Sequence, residues 1–283
     1  MAKGLLALCT VVLLSLWLGS CSEGTDPDGG EVRVLILSNY QPGNDWIDSS
    51  YVKHMDNMVF SSMDIGDSIP TLDDFVGYDV ILLYEDGLFD NCNEVGDLLY
   101  YYVLAGGNLV MGTFYWQDRT LGGYSSSETW GLLELIDPIY GNSCDYEYDS
   151  LGQVSNHDLT KGVNSLKTYY RGGVDTLRND AAAVAWWTDG SVLIAYNRPN
   201  NKGTITAVTT APQEGYYWDW RGYPNAPEGD FFRLWENVLR WTASRGSGFS
   251  LDDVVLGKAA SSQQKSKQKT ETAIQPSGSQ LIK

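Results

Sequence analysis

The chain has 283 residues, 43% of them apolar, and a formal net charge of −17. This length and apolar content suffice for one large domain with a buried core, which excludes a wholly disordered chain. Between Cys21 and Gly257 lie 13 basic and 35 acidic residues, a formal charge of −22. Such a domain repels phosphate backbones, so we expect no nucleic-acid partner.

The first two dozen residues have the pattern of a secretory signal. Lys3 precedes an apolar run from Leu5 to Leu18, which is too short for a permanent membrane span. The run closes on Leu-Gly-Ser-Cys, and this order resembles a bacterial lipobox. The resemblance implies cleavage before Cys21, acylation of this cysteine and a firm lipid anchor. The alternative is an ordinary secretory signal with a chance cysteine near the cut.

The residue after the cysteine bears on localisation. An aspartate there would favour the inner membrane of a double-membraned bacterium, and the chain has Ser22 instead. We therefore predict an extracytoplasmic, lipid-anchored protein at the outer membrane or the cell surface.

Two cysteines remain in the mature domain, because Cys9 belongs to the signal and Cys21 is the lipid acceptor. In an oxidising compartment, Cys92 and Cys144 favour a disulfide over two thiols. Their spacing does not show that they meet.

The first part of the domain alternates apolar runs with helical periodicity. Continuous apolar runs predict buried strands, and apolar residues three and four apart predict helices facing a core. A capping-box pattern at Thr71–Asp74 predicts one helical turn. The other predicted elements are strand Val32–Leu37, helix Trp46–Phe60, strand Asp79–Tyr84, helix Asn93–Ala105 and strand Asn108–Gly112. This order predicts an α/β fold with a doubly wound, mainly parallel sheet and helices on both faces.

The alternation of strands and helices stops at Thr113. The polar and aromatic segment Thr113–Lys161, which we call the excursion, has one short predicted helix at Thr129–Leu135. Beyond it, an Asp-Gly turn predicts an added β-hairpin in the C-terminal half. The elements predicted here are hairpin strands Ala182–Trp187 and Val192–Tyr196, strand Thr204–Val208 and helix Asp230–Ser244. The predicted organisation is a signal at 1–20, a linker at 21–31, one domain at 32–246 and a disordered low-complexity tail at 247–283.

Ligands of open α/β sheets bind outside the carboxyl ends of the strands. The residues at these positions are Asn39 and Tyr40, Glu85 and Asp86, and Thr113–Trp116. We therefore take Asn39, Glu85, Asp86, Thr113, Tyr115 and Trp116 as candidate ligand-binding residues.

Five segments have a shared order and spacing that matches a known family. They are Ile69–Leu72, Tyr78–Leu82, Tyr102–Val110, Asn156–Leu159 with Gly162–Val163, and Leu234–Trp241. On these residues, the chain from Val32 to Arg245 resembles the class I glutamine amidotransferase-like, flavodoxin-like fold. The similarity is greatest to extracellular members related in form to trehalose-utilisation-type domains.

The resemblance implies a place for a nucleophile, and this chain departs from it. Catalytic members place a cysteine in a tight, glycine-flanked elbow after the strand that matches Asn108–Gly112. Here that strand is followed by Thr113–Trp116, without a cysteine. A threonine nucleophile would need a base, and the histidines are His54, in the first helix, and His157, which matches the family's His-Pro-like turn. We therefore predict no catalytic residue, and we count His157 among the candidate ligand-binding residues.

We predict no cofactor and no metal site. Two isolated histidines without a Cys-x-x-Cys pair give no zinc pattern. The run of Asp86, Asp90, Asn91 and Asn93 lacks the spacing of a calcium loop and indicates a helix cap. Ser38–Gly43 has one glycine where a nucleotide-binding loop has three, which argues against a flavin or a dinucleotide.

The run Tyr216–Tyr223 is unusually aromatic. Trp218 and Trp220 alternate with Asp219 and Arg221, which is typical of a sugar-binding surface because flat rings stack while polar groups bond hydroxyls. Trp218, Asp219 and Trp220 are therefore candidate ligand-binding residues, and Tyr115 and Trp116 would join the same surface. The alternative is that the two tryptophans pack this loop against the last helix.

Two functions follow from these patterns. The first is a lipid-anchored binding or interaction domain with a non-catalytic amidotransferase-like fold, whose partner is a carbohydrate or a surface protein. The alternative is a hydrolase of carbohydrate or a related small substrate, using Glu85, Asp86 and His157.

Overall fold

The computed structural model describes residues 30–66, 68–86, 91–117, 129–141, 144–174, 176–213 and 226–254. Its helices are α1 (Gln41–His54), α2 (Cys92–Leu104) and α3 (Phe231–Ala243). Its strands are β1 (Val32–Ser38), β2 (Met58–Asp64), β3 (Val80–Tyr84), β4 (Asn108–Gly112), β5 (Ile139–Tyr140), β6 (Asp145–Val154), β7 (Leu166–Arg171), β8 (Thr176–Leu177), β9 (Ala182–Trp187), β10 (Val192–Asn197), β11 (Thr204–Val208) and β12 (Glu228–Gly229). Short 3₁₀ turns lie at Leu72–Phe75, Tyr115–Gln117, Gly131–Leu135, Asp158–Thr160 and Pro199–Asn201.

Ten of the described strands form one sheet, in the order β12-β7-β6-β9-β10-β11-β4-β3-β1-β2. The strands from β2 to β11 along this order pair in parallel, whereas every pair from β11 to β12 is antiparallel. The α/β class is confirmed, but the sheet is mixed rather than mainly parallel. The reason is that β9 and β10, and β10 and β11, are joined by short connections, which can only pair strands antiparallel.

The parallel half of the sheet is in register across four strands. Leu35, Ile81, Leu109 and Ile205 are successive Cα partners in β1, β3, β4 and β11. All four side chains belong to the core on the α2 face of the sheet. Because these strands are parallel and aligned, their carboxyl ends lie side by side.

Helices cover both faces of the sheet. Ile47 and Tyr51 of α1 share a buried cluster with Trp235 and Leu239 of α3. On the opposite face, α2 contributes its apolar side chains to a second cluster, which also contains Leu133 from the 3₁₀ turn at Gly131–Leu135. The burial of strands on both faces explains their continuous apolar runs.

The predicted helix Trp46–Phe60 was wrong at both ends. The helix begins earlier, at Gln41, and ends at His54, and Met58–Asp64 forms β2 beside β1. The helix ends because its C-cap residue, Met55, has extended backbone (φ −125°, ψ 110°). Asn57 then has a φ of +53°, a left-handed conformation that asparagine tolerates. Its carbonyl accepts a hydrogen bond from Val32 N (2.9 Å), which fixes the entry into β2.

The excursion after β4 contains structure that the sequence patterns did not indicate. Strand β6 lies entirely within it, and β7 begins shortly after it. The two strands pair with each other, and β6 also pairs with β9. The predicted β9–β10 hairpin and strand β11 are confirmed. Helix α3 matches its prediction, with Asp230 and Ser244 as its capping positions.

Part of the segment assigned to the tail packs on the domain. The ring of Phe249 lies 4.8 Å from that of Tyr102 in α2, and Val254 is buried. The packed region therefore extends past residue 246. Among the described residues, no helix is both long enough and apolar enough to cross a bilayer.

Candidate functional site

The carboxyl ends of the parallel strands meet at one edge of the sheet, which we call the carboxyl edge. The Asn39 side chain, after β1, accepts a hydrogen bond from Asp86 N after β3 (2.7 Å). The Glu85 carbonyl accepts one from Phe114 N after β4 (3.1 Å), and Thr113 N donates to the Thr210 carbonyl after β11 (3.2 Å). The structure thus brings together Asn39, Glu85, Asp86 and Thr113. Their role in binding a ligand stays a prediction.

Polar side chains at this edge are buried. Thr113 has no exposed surface, and Glu85 and Gln213 are 1% and 3% exposed. Within the described part of the chain, neither Thr113 Oγ1 nor the two amide atoms of Gln213 have a hydrogen-bond partner. Buried polar atoms normally have partners, so these two side chains are groups at this edge that are open to a bond from water or a ligand.

Gln213 reaches this edge through the segment after β11. Its neighbour Pro212 lies against β4, since a Cβ on Gly112 would be 3.1 Å from the Pro212 ring. The Pro212 carbonyl accepts a hydrogen bond from the hydroxyl of Tyr51 in α1 (2.6 Å). Burial raises the pKa of Tyr51 well above its usual range, so this phenol stays protonated and donates. Sequence reasoning missed Gln213, because no motif surrounds it.

Tyr115 and Trp116 do not form an exposed surface, contrary to the prediction. Both side chains are completely buried. The Tyr115 ring stacks on Trp130 at 5.1 Å, and its hydroxyl donates to Asp137 Oδ2 (3.0 Å). Asp137 also forms an ion pair with Arg178 (2.8 Å). The 3₁₀ turn at Tyr115–Gln117 directs these rings into the core, so they hold the excursion against the domain.

His157 lies away from the carboxyl edge. Its ring is 5.2 Å from that of Trp241 near the end of α3, and Asp158 forms an ion pair with Arg245 (3.6 Å). That end of α3 is fixed at the start of β4, where Asn108 Nδ2 donates to the Ala243 carbonyl (3.1 Å). His157 is therefore near the amino ends of the parallel strands.

The contacts of the two histidines are structural. His157 Nδ1 accepts a hydrogen bond from Leu159 N (3.1 Å). Burial, with a contribution from Arg245, lowers the pKa of His157 despite the nearby Asp158 carboxylate. His54 ends α1, just before the amino end of β2, and stacks on Phe232 at 3.9 Å. The structure thus brings neither histidine to the edge that holds Glu85 and Thr113.

The predicted disulfide between Cys92 and Cys144 is absent from the structure. Cys92 begins α2 and is completely buried in the core on that face, where a thiol packs as a small apolar side chain. Cys144 is only partly buried. Cys21 lies outside the described residues, as does the whole run Tyr216–Tyr223 with Trp218, Asp219 and Trp220.

A charged cluster around Arg171, at the end of β7, was also missed. The Arg171 side chain is 3% exposed, and its guanidinium lies within 4 Å of four carboxylates. These are Asp145 (3.4 Å), Glu147 (3.3 Å), Asp149 (3.7 Å) and Asp189 (2.8 Å). The alternation of acidic residues at 145, 147 and 149 is a signal for one face of a strand. In the part of the chain that the structure describes, no group of His, Cys, Asp and Glu is arranged to hold a metal.

Comparison with known proteins identifies the fold. The structure resembles that of a ThuA-like protein from Bacteroides uniformis ATCC 8492, with a TM-score of 0.53 and 12% identity over 81% of this chain and 97% of that chain. Lower scores relate it to a cold-adapted β-galactosidase from Rahnella sp. R3 (TM-score 0.46, 16% identity, 76% of this chain and 31% of that chain). A GMP synthase component from Thermoplasma acidophilum gives a TM-score of 0.43 at 10% identity, over 76% of this chain and 96% of that chain.

Comparison of the sequence with known proteins does not assign the chain to a family. No family model matches it, and no curated protein matches it significantly. The two lower TM-scores carry no weight, and the ThuA-like similarity shows the fold alone. That fold is the amidotransferase-like α/β fold that the sequence resemblance implied.

Proposed function

We propose that this protein is a lipid-anchored extracytoplasmic binding domain, in which the amidotransferase-like fold carries no catalytic nucleophile. The anchor is Cys21, at the end of the lipobox-like Leu-Gly-Ser-Cys, and the location is the outer membrane or the cell surface. The partner is a carbohydrate or a surface protein. The formal charge of the domain argues against a polyanionic partner.

The observation that carries this proposal is the environment of Thr113. By the sequence resemblance, it directly follows the strand after which catalytic members of the family place a cysteine, and its side chain is completely buried. A hydroxyl is a nucleophile only if a neighbouring base accepts its proton. Neither histidine lies at the carboxyl edge, and the Thr113 hydroxyl has no hydrogen-bond partner among the described residues. An accessible, activated nucleophile is therefore not supported.

The alternative hydrolase requires three residues that the structure does not bring together. Glu85 and Asp86 lie at the carboxyl edge, whereas His157 lies near the amino ends of the same strands. We therefore retain the binding domain as the proposal. The aromatic run at 216–223 supports carbohydrate as the ligand, because its alternation of indoles and polar groups is typical of sugar-binding surfaces.

Lipidation is tested by metabolic labelling with a fatty-acid analogue in a bacterial host. We expect the full chain and the Cys9→Ser variant to be labelled and membrane-bound, and Cys21→Ser to be unlabelled. Cys9 is the matched control because it lies in the same signal. Labelling that survives Cys21→Ser would overturn the anchor.

The absence of catalysis is tested with a panel of glycoside, ester and amide substrates. We expect no turnover above that of the Glu85→Gln variant, and no covalent adduct on Thr113 with an electrophilic probe. Turnover that Glu85→Gln abolishes, or a mapped adduct on Thr113, would contradict the proposal.

A further inference from the structure

A cavity of about 450 Å³ lies where β6 meets β9 and the turn that follows it. It is lined by Gly152, Gln153, Trp186, Trp187, Thr188 and Gly190. Its volume falls within the range of about 300–1,000 Å³ that is typical of small-molecule sites. No lining residue belongs to the carboxyl edge, so the cavity is a separate feature of the molecule. We call it the bulge cavity.

A β-bulge forms this cavity. Leu151 pairs with Trp187 and Val154 pairs with Ala185, so that Gly152 and Gln153 both lie opposite Trp186. A Cβ on Gly152 would be 2.3 Å from the Trp187 carbonyl oxygen, so only glycine allows this approach. Bulges bend a strand and redirect side chains, and they are frequent beside functional sites.

Trp186 supplies a fixed aromatic surface. It is partly buried and packs against the core on the α2 face, while it also lines the cavity. An indole held by the core loses little conformational freedom when a ligand stacks on it.

The polar groups of the cavity suit hydroxyl ligands. The Thr188 hydroxyl donates to Asp149 Oδ1, and Thr188 N donates to the Ser150 carbonyl (3.1 Å). Because its proton is directed at Asp149, the Thr188 oxygen is oriented to accept a hydrogen bond from a ligand. Gln153 is exposed, and its amide can both donate and accept.

Among the residues that the structure describes, no charged side chain lines the cavity, and this decides the class of ligand. Nothing there would compensate an anion, and the acidic chain repels one. The nearby carboxylates of Asp149 and Asp189 face Arg171, at 3.7 and 2.8 Å, rather than a cationic ligand. A ring that is apolar on one face and carries neutral hydroxyls at its edge fits both the indole and the polar groups.

We propose that the bulge cavity binds a neutral saccharide ring, which stacks on Trp186 and hydrogen-bonds Gln153 and Thr188. This inference rests on the proposed binding function and assigns the ligand to a place that the sequence patterns did not indicate.

The test is calorimetric titration of the full chain with cellotetraose, maltotetraose and xylotetraose, with tetragalacturonate as the charged comparator. We expect at least one neutral tetrasaccharide to bind more tightly than tetragalacturonate. Trp186→Ala should weaken that binding about tenfold, in line with the loss of one aromatic contact. Tyr140→Ala is the matched control, because Tyr140 is an exposed aromatic residue outside the cavity, and it should bind like the wild type.

Two further variants avoid the core. Gln153→Ala and Thr188→Val change exposed residues, and each should weaken binding, whereas Thr188→Ser should restore it. Three outcomes would overturn the inference. In the first, none of the three neutral sugars binds; in the second, tetragalacturonate binds more tightly than they do. In the third, the cavity variants bind with the same affinity as the Tyr140→Ala control. Binding that is lost in Trp218→Ala but kept in all the cavity variants would overturn it while leaving the binding function in place. The anchor and the absence of catalysis are judged separately, by the Cys21 and Thr113 experiments.

Discussion

Arg171 Nη2 lies 2.8 Å from Asp189 Oδ2, and this contact joins β7 to the turn between β9 and β10. The Arg171 Nη1 also donates to Ser191 Oγ in the same turn (3.0 Å). One buried guanidinium therefore links the β6–β7 and β9–β10 strand pairs, in addition to the direct pairing of β6 with β9. The contact also orders the turn that carries Thr188 and Gly190 of the bulge cavity.

Replacing Arg171 with methionine should lower the free energy of unfolding by about 3 kcal/mol, because it leaves four carboxylates without their shared cation. Urea unfolding measures this loss. Lys167→Met is the matched control: Lys167 pairs with Glu228 across exposed surface, and its loss should cost less than about 1 kcal/mol. Equal losses of unfolding free energy in the two variants would show that the Arg171 cluster stabilises the fold no more than a surface ion pair does.

Three carboxylates should make the protein sensitive to acid. Hydrogen bonds from the backbone of Asn164 and Ser165 lower the pKa of Asp230, and those from Thr71 lower the pKa of Asp74. Burial raises the pKa of Asp189, but bonds from Ser191 and Arg171 outweigh it and lower the pKa overall. A lowered folded pKa stabilises the fold above the ordinary value of 3.8, and this contribution is lost as the pH falls through the folded pKa.

We therefore expect the free energy of unfolding to fall as the pH drops below the ordinary carboxyl value of 3.8, and the fall to be smaller in Asp230→Asn. Asparagine keeps an acceptor oxygen for Asn164 N and Ser165 N but does not titrate. Asp252→Asn, on the exposed surface, is the control and should follow the wild type. Identical acid curves for the wild type and Asp230→Asn would refute this account.

Thr113→Val should stabilise the protein by about 1 kcal/mol. The side chains have the same shape, and the change removes a buried hydroxyl that has no hydrogen-bond partner among the described residues. Thermal unfolding measures the gain. Thr206→Val is the control, because its buried hydroxyl bonds that of Thr242 (2.7 Å), and this variant should lose stability. A loss of stability in Thr113→Val would mean that the hydroxyl is bonded in solution, by water or by a ligand.

Gly96→Ala should destabilise the fold by about 2 kcal/mol, although alanine is the better helix former by about 1 kcal/mol. A Cβ on Gly96 would be 1.8 Å from the Trp130 carbonyl oxygen, so α2 and the turn at Gly131–Leu135 would have to separate. Gly30→Ala has no atom within 4 Å of the added carbon and serves as the control. Equal stability of the two variants, measured by urea unfolding, would mean that this contact is looser than the structure shows.

The sequence patterns predicted those elements whose buried residues form a continuous run or a regular helical spacing. Strands β1, β3 and β4 are apolar on both faces, and their runs are continuous for that reason. Helix α3 shows the helical spacing of its buried residues, among them Leu234 and Val238. Because the connectivity of these strands was recognised, the pairing of Asn39 with Asp86 at the carboxyl edge was within reach of sequence reasoning.

The rest could not be predicted because it depends on contacts between distant residues. Helix α1 ends where Met55 adopts extended backbone, and Asn57 then adopts a positive φ; helical periodicity reveals neither. The Asp-Tyr-Glu-Tyr-Asp segment of β6 is only partly buried. The role of its acidic residues is clear only from the structure, which places them around Arg171. The bulge cavity depends on a shift in strand register opposite Trp186. Such a shift cannot be predicted from the amino-acid composition of the two strands.

The sheet is bounded on its antiparallel side by β12, which has only two residues and pairs with Leu166 and Lys167 of β7. Unpaired strand edges template association between chains, and short, charged edges oppose it. Lys167 and Glu228 place an ion pair at this border. The acyl anchor that we propose would concentrate the protein on a two-dimensional surface, and this border would then keep neighbouring copies from pairing their sheets.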